Sequence, residues 1–168
     1  MMPELAPKPV SASRAEMVEM ILPDEANPLG SARGGVILHL IDIAAALAAA
    51  RHCRRQVVTA SFDEVDFLHP VRVGDLVILP ASVNLAGRTS MEVGVKVLSE
   101  NPKTGETRHT ASAYTTFVAL DDWGHPSPVP PLLLESDEDR RRNEQAMVRR
   151  ERRLAQRKDR PRSSADGS

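Results

Sequence analysis

The longest apolar stretch of the chain runs from Gly34 to His52, and its pattern predicts a single helix. Alanine and leucine dominate the stretch and no proline interrupts it, which favours a helix over a strand. Asp42 lies in its middle, where an unpaired buried charge would be costly. We therefore expect this carboxylate to have a partner or a chemical role. The alternative is an aspartate that reaches solvent from an amphipathic face or is held by a structural hydrogen bond.

Alternating apolar and polar positions predict strands on both sides of this helix. One strand is expected over Arg14–Leu22, where Pro23 stops it, and another over Gln56–Phe67, with Thr59 and Ser61 on one face and Val58 and Phe62 on the other. Three more strands are expected after a turn-rich segment: Leu76–Ala86, Ser90–Glu100 and Thr107–Leu120. A single long helix among these strands needs a curved sheet to cover its apolar sides.

The two ends of the chain differ from its middle. Residues 1–12 contain three prolines and are expected to form a flexible arm, followed by one domain over 13–131. Residues 132–168 are predicted to form a charged helix, exposed or partly docked, and a disordered tail. The helix is rich in arginine, but acidic residues are interspersed and it has no aromatic residue to stack on bases. We therefore expect no binding to nucleic acid.

Composition places the protein in a broad class. A chain of 168 residues with 41% hydrophobic residues can form one core, and a net charge of −1 gives no reason to expect a polyanionic partner. Cys53 is the single cysteine, which fits a reducing compartment. The N-terminus has no apolar segment of the signal-peptide type, and His39 and Asp42 are expected to interrupt the apolar run before it could span a bilayer. These features predict a cytoplasmic protein with no membrane segment.

Few candidates for chemistry remain after the common motifs are considered. The sequence contains no phosphate-binding loop, dinucleotide fingerprint or nucleophile elbow, and its histidines, cysteine and carboxylates lack the spacing of a zinc site. We therefore expect neither a metal nor a cofactor. The remaining candidates are Asp42, Asn27 in the loop before the helix, and the glycine pair Gly34–Gly35 at its start.

The glycine pair has a mechanical rationale. Without Cβ atoms, Gly34 and Gly35 let a ligand approach the free N–H groups of the first helical turn, where a polarised carbonyl oxygen would be stabilised. The alternative is that they only permit close packing of the helix. Gly34 lies about 12 Å from Asp42 along a helix, so one substrate carbonyl cannot contact both within one chain. If both are catalytic, the site lies between two copies, and the protein is an obligate dimer.

The ordered segments ANPLGSARGGVILHLIDIAAALAAARH, VVTASFDEVDFLHPVRVGD, GRTSMEVGVKV and TTFVALD carry a resemblance to a known family. Together they resemble the hotdog-fold acyl-CoA thioesterases of the cytosolic acyl-CoA hydrolase type, over residues 17–130. The resemblance implies an α+β hotdog fold, in which a curved antiparallel sheet wraps around one long central helix. Many members have histidine where this chain has Arg33. We expect Arg33 to face solvent; the alternative is that it recognises a carboxylate or phosphate of the ligand.

The resemblance also implies a function, which is hydrolysis of acyl-CoA to a free acid and CoA without metal or cofactor. It implies that Asp42 serves as general base or nucleophile, that Asn27 orients the water or thioester, and that the N–H near Gly35 polarises the carbonyl. The positions expected to contact substrate or CoA are Gly34, Thr59, Ser61, Arg88, Thr89 and Ser90. Such proteins are often trimers of dimers. The alternative function is a non-catalytic acyl-CoA sensor that regulates a partner.

Overall fold

The computed structural model describes residues 4–160. One face of a five-stranded antiparallel sheet packs against a long helix, and a second long helix crosses the other face. A short 3₁₀ turn over Pro23–Glu25 precedes the first long helix. The elements in chain order are β1 (Lys8–Pro9), α1 (Val10–Ser13), β2 (Ala15–Met20), α2 (Gly34–Cys53), β3 (Gln56–Phe67), β4 (Leu76–Ala86), β5 (Ser90–Glu100), β6 (Thr107–Leu120), β7 (Leu132–Leu133) and α3 (Asp137–Asp159).

The sheet has the strand order β2-β4-β5-β6-β3, which places β3 at one edge. Consecutive strands β4, β5 and β6 pair as neighbouring hairpins and have the bounds that alternation predicted. Their inward side chains are almost all small or β-branched, such as Val77, Val83 and Val93, and are fully buried against α2. The expected α+β architecture, a sheet packed on one central helix, is confirmed.

Helix α2 is the core helix of the domain, and its two polar residues, His39 and Asp42, reduce its mean hydropathy less than the sequence analysis expected. Its length and a mean hydropathy of 1.6 meet the criteria for a membrane span, so the expectation that His39 and Asp42 interrupt the apolar run was wrong on those criteria. One side of the helix, including Ile41 and Ala45, is fully buried under the sheet. That packing is typical of the core helix of a globular domain.

Strand β3 departs from simple alternation. Its pairing with β6 shifts register between Thr59 and Ser61 and again between Phe62 and Glu64. Each bulge leaves one residue unpaired and turns the strand locally, so the two faces predicted for this strand do not persist along it. Bulges are common in edge strands and beside functional sites, and β3 is such an edge strand.

A flexible arm was expected over residues 1–12, but the residues after Pro7 form regular structure. Lys8 and Pro9 pair in parallel with Leu132 and Leu133, and Val10 is buried. The Lys8 ammonium also donates hydrogen bonds of 2.9 and 2.7 Å to the carbonyl oxygens of Arg51 and His52 at the end of α2. The segment therefore closes the core, and residues 1–3 and 161–168, including the predicted disordered tail, lie outside the described residues.

Helix α3 is docked on the outer face of the sheet. Ser136 caps its first turn, since its hydroxyl oxygen accepts from the Asp139 N–H at 3.0 Å. Along the helix, Arg149 pairs with Glu92 on β5, and Arg153 pairs with Asp63 on β3, each at 2.7 Å. These pairs hold the helix diagonally across the strands, in agreement with the partly docked alternative.

His52 at the end of α2 gives a prediction about pH. Its side chain is fully buried; Nε2 lies 2.8 Å from the Pro130 carbonyl oxygen, and Nδ1 has no partner among residues 4–160. Burial lowers the pKa of His52 below its ordinary 6.5. The unfolded chain therefore binds a proton at a higher pH than the folded one. The free energy of unfolding should fall below pH 6.5, by at most about 1.4 kcal/mol per pH unit.

Urea unfolding at about pH 8 and about pH 5 measures this effect. The His52→Gln variant should lose this part of the pH dependence, whereas a control variant of the exposed His125, His125→Gln, should keep it. Equal pH dependence in wild type and His52→Gln would contradict the assignment.

Candidate active site

The Asp42 carboxylate is held by a side chain from the edge strand. The Thr59 hydroxyl donates a hydrogen bond of 2.6 Å to Asp42 Oδ1, although 17 positions separate the two residues. Asp42 is half-buried, because it lies where the sheet-covered side of α2 meets its open side. The expected partner therefore exists, but it is Thr59, which had been predicted to contact CoA. Alternation placed Thr59 on a strand face without showing which helix residue it would meet.

The start of α2 is open and carries free donors. Arg33 occupies the cap position without a side-chain cap bond, and a Cβ atom at Gly34 or Gly35 would meet nothing within 4 Å. Close packing within this chain therefore does not explain the glycines. The N–H groups of Gly34 and Gly35 have no acceptor among the described residues, whereas those of Val36 and Ile37 donate to the Arg33 carbonyl oxygen at 3.0 and 3.4 Å. A cavity of about 320 Å³ adjoins Gly34, and its apolar lining includes Ile37, Phe67, Leu68 and Val71.

Asn27 shapes the loop that leads into α2. Its Oδ1 accepts hydrogen bonds from the N–H groups of Leu29 and Ser31, at 3.0 and 3.1 Å. Within residues 4–160 its amide nitrogen donates to no protein group, so it stays available to a ligand. The Arg33 guanidinium donates to the Asp24 carbonyl oxygen at 2.8 Å. Arg33 therefore braces the same loop from an exposed position.

The two halves of the candidate site are separated within one chain. Helix α2 is continuous from Gly34 to Cys53, so the helix start and Asp42 lie about 12 Å apart along its axis. A thioester carbonyl bound by the N–H groups at Gly34 and Gly35 is therefore too far away for the Asp42 carboxylate of the same chain to contact it. One chain alone does not bring the two groups to a common point.

An apolar surface lies beside Asp42. On the open side of α2, Ile43 and Leu47 are exposed, the latter to 45%. On β3, Phe62 is exposed as well, and its partner in the sheet, Thr115, is buried; the backbone of this edge strand has no neighbour on one side among the described residues. We call these three side chains the α2–β3 surface. Exposed apolar side chains beside an unpaired strand edge are typical of a contact between chains.

The other predicted contact residues lie away from Asp42. The Ser61 hydroxyl donates to Asp63 Oδ1 at 3.0 Å. Arg88, Thr89 and Ser90 form the turn between β4 and β5; the carbonyl oxygen of Thr89 accepts from the Ala119 N–H at 2.9 Å. Within residues 4–160, no hydrogen bond joins any of these four residues to Asp42 or Asn27, and no cluster of three or more His, Cys, Asp or Glu side chains could hold a metal ion.

Sequence comparison identifies related proteins. Residues 29–106 match the Thioesterase superfamily. The uncharacterized acyl-CoA thioester hydrolase YkhA of Bacillus subtilis is 43% identical over 127 residues, which are 76% of this chain and 74% of that protein. The mouse cytosolic acyl coenzyme A thioester hydrolase is 32% identical over 151 residues, 88% of this chain and 40% of that protein.

Solved structures give the same family. A hexameric acyl-CoA thioesterase without ligand superposes with a TM-score of 0.89 and 42% identity, covering 93% of this chain and 100% of that chain. An acyl-CoA hydrolase of Staphylococcus aureus, solved with butyryl-CoA, CoA and CoA disulfide, gives a TM-score of 0.83 and 39% identity, covering 89% and 92%. Variants of the S. aureus enzyme with one aspartate, asparagine or threonine changed to alanine have also been solved. Together with the fold described above, these matches show that the chain belongs to the hotdog-fold acyl-CoA thioesterases of the Thioesterase superfamily.

Proposed function

We propose that this protein hydrolyses acyl-CoA to a free carboxylic acid and CoA at a site shared by two copies of the chain. The observation that carries the proposal is the Asp42–Thr59 hydrogen bond of 2.6 Å beside the exposed α2–β3 surface. The carboxylate is fixed at a place that a second chain would cover. The helix start of that second chain can supply the donors that Asp42 lacks in its own chain.

The chemistry follows from these groups. The Asp42 carboxylate takes a proton from water while the water oxygen attacks the thioester carbonyl carbon. The N–H groups at Gly34 and Gly35 of the second copy stabilise the negative charge that develops on the carbonyl oxygen. When the tetrahedral intermediate collapses, the carbon–sulfur bond breaks and the CoA sulfur leaves with the proton. Direct attack by Asp42 on the carbonyl would give an anhydride that water then hydrolyses, and the same groups would serve it.

Asn27 and the neighbouring cavity complete the proposed site. The free amide nitrogen of Asn27 can donate to the attacking water or to the thioester. The apolar cavity beside Gly34 is where we place the acyl chain, because a carbonyl bound at the helix start brings its substituents to the cavity mouth. A base, a water molecule and backbone donors are sufficient for thioester hydrolysis, so we propose that no metal or cofactor takes part.

The relatives support these roles. In the S. aureus enzyme, the asparagine, aspartate and threonine that were replaced are separated by the same intervals as Asn27, Asp42 and Thr59. That enzyme was solved with butyryl-CoA and CoA, so this chain is expected to bind acyl-CoA as well. The hexameric thioesterase supports self-association of this protein. We propose an obligate dimer as the catalytic unit, arranged as a trimer of dimers, and a cytoplasmic location as in the mouse relative.

A panel of acyl-CoA substrates from acetyl-CoA to long-chain esters tests the activity. The measured quantity is free thiol released over time by the purified full-length chain. Hydrolysis of at least one chain length above the uncatalysed rate is expected. Tight binding of every acyl-CoA with no thiol release would instead support the sensor function.

A further inference from the structure

A cavity of about 530 Å³ lies between α3 and the outer face of the sheet. It exists because several outward-facing side chains beneath the helix are small. Ser82 on β4 pairs with Gly94 on β5, and Ser112 on β6 also lines the cavity. We call it the outer cavity. Its volume falls within the range of small-molecule sites.

The sheet separates the outer cavity from the proposed reaction site. Thr59, which holds Asp42, pairs in the sheet with Phe117, whose side chain is buried on the inner face. The floor of the outer cavity instead consists of outward-facing positions of β4, β5 and β6. A ligand bound in the cavity therefore does not reach Asp42 of the same chain.

A buried hydroxyl opens into the outer cavity. The neighbours of Ser82 along β4, Ala81 and Val83, are buried against α2, so alternation places the Ser82 side chain on the outer face. Ser82 is only 6% exposed, and within residues 4–160 its hydroxyl forms no hydrogen bond. Buried polar groups in proteins are nearly always hydrogen-bonded. A ligand in the cavity would supply the partner that this hydroxyl lacks.

Asn84 is the second buried polar side chain at the floor. Its amide nitrogen donates to Glu92 Oε1 at 3.3 Å, whereas its amide oxygen accepts no hydrogen bond from the described residues. The amide nitrogen lies 2.7 Å from the position that a Cβ atom on Gly94 would take. Only glycine leaves room for the amide at this point of β5. The floor therefore presents a neutral hydroxyl and a neutral amide to the cavity.

The wall of the outer cavity is cationic. Among the described residues, Glu16 is the one acidic residue that lines it, and the basic residues are Arg14, Arg51, Lys96, Arg141, Arg142 and Arg149. The charge of Arg149 is matched by Glu92, and the exposed Glu138 is shared by two of the arginines on α3. Ion pairs between exposed side chains are weak. The wall therefore keeps an excess of positive charge that is available to a ligand.

We infer that the outer cavity binds a small organic anion, one that carries at least two oxyanion groups and a neutral polar group. The arginines of α3 suit the oxyanions, because a planar guanidinium donates two parallel hydrogen bonds to a carboxylate or a phosphate. The neutral group binds at the floor, to the hydroxyl of Ser82 and the amide of Asn84. Since the cavity and Asp42 lie on opposite faces of the sheet, this inference does not depend on the proposed function.

Calorimetric titration of the full-length protein with citrate and with pyrophosphate tests the inference. Citrate carries carboxylates and a hydroxyl, whereas pyrophosphate carries phosphates, so the two titrations distinguish the two kinds of oxyanion. At least one of them should bind. Replacing both Arg141→Gln and Arg142→Gln should raise its Kd about tenfold or more, and Ser82→Ala should raise it about fivefold. Arg140→Gln is the control, because it removes the same charge from a neighbouring exposed ion pair outside the cavity.

The titrations need no turnover, so they test the cavity even if the protein hydrolyses nothing. Binding of neither anion, a Kd unchanged in the variants, or an equal effect of Arg140→Gln would overturn the inference. The KM for acyl-CoA should keep its wild-type value in Ser82→Ala; a rise that matches the loss of anion binding would assign these residues to the substrate instead. A changed sedimentation coefficient with unchanged anion binding would assign the cavity to a contact between chains, and would also overturn the inference.

Discussion

The Asp42→Asn variant is expected to lose acyl-CoA hydrolysis by a factor of about 10² to 10⁴ in kcat, the usual contribution of a general base. Asparagine has the same shape, and its carbonyl oxygen can still accept the hydrogen bond from Thr59. It cannot take a proton from water or attack the thioester. The measurement is the rate of thiol release at saturating acyl-CoA, and a variant with the full wild-type rate would remove Asp42 from the mechanism.

Two further variants make this result specific. Asp66→Asn makes the same change at an exposed carboxylate on β3 and should leave kcat near the wild-type value. Thr59→Val removes the hydroxyl that orients Asp42 and should lower kcat about tenfold, since a hydrogen bond to a charged group contributes about 1.5 to 3 kcal/mol. Thr59→Ser keeps the hydroxyl and should recover most of that loss.

The Arg149→Ala variant is expected to lower the free energy of unfolding by about 3 to 5 kcal/mol, because it leaves a buried carboxylate without its partner. The Glu92 side chain is 2% exposed, and Arg149 reaches it through three hydrogen bonds of 2.7 to 3.2 Å. Burial opposes the charge on Arg149, but the bond to Glu92 outweighs it and raises the pKa of the guanidinium. The same guanidinium stacks 3.6 Å above the ring centre of Tyr114.

Urea unfolding with matched variants tests this prediction. Arg140→Ala breaks an ion pair of the same 2.7 Å length between exposed side chains, and its effect should stay below about 1 kcal/mol. Replacing both members of the buried pair, Glu92→Leu with Arg149→Met, should restore much of the stability, because apolar groups of similar volume need no partner. A loss in Arg149→Ala no larger than that in Arg140→Ala would contradict the role assigned to the buried pair.

Much of the fold could be predicted from local pattern. The proline-free run of alanine and leucine predicted α2, and the apolar segments between turn residues predicted β4, β5 and β6 with their bounds. The pairing of Lys8–Pro9 with Leu132–Leu133 could not be predicted, because it depends on contacts between distant segments. The bulges in β3 were missed for a similar reason, since register depends on the partner strand.

The sequence predicted the residues of the candidate site but not the contacts between them. Asp42 stood out as a carboxylate in an apolar helix, and the glycine pair as an opening at the helix start. That Thr59 holds Asp42 follows from how β3 packs beside α2, which alternation does not describe. The charge of α3 was evident from composition, but its docking through Arg149 and Arg153 depends on acids of β5 and β3. A solvated helix and a docked one have the same charge pattern.

Subunit mixing tests most directly whether Asp42 of one chain works with the helix start and loop of another. Asp42→Asn and Asn27→Ala proteins, each nearly inactive, are unfolded together in equal amounts and refolded. Random pairing makes half of the dimers mixed, and each mixed dimer has one site with both groups intact, so roughly a quarter of the wild-type rate should return. A refolded mixture no more active than the average of the two variants would show that each site is built within a single chain.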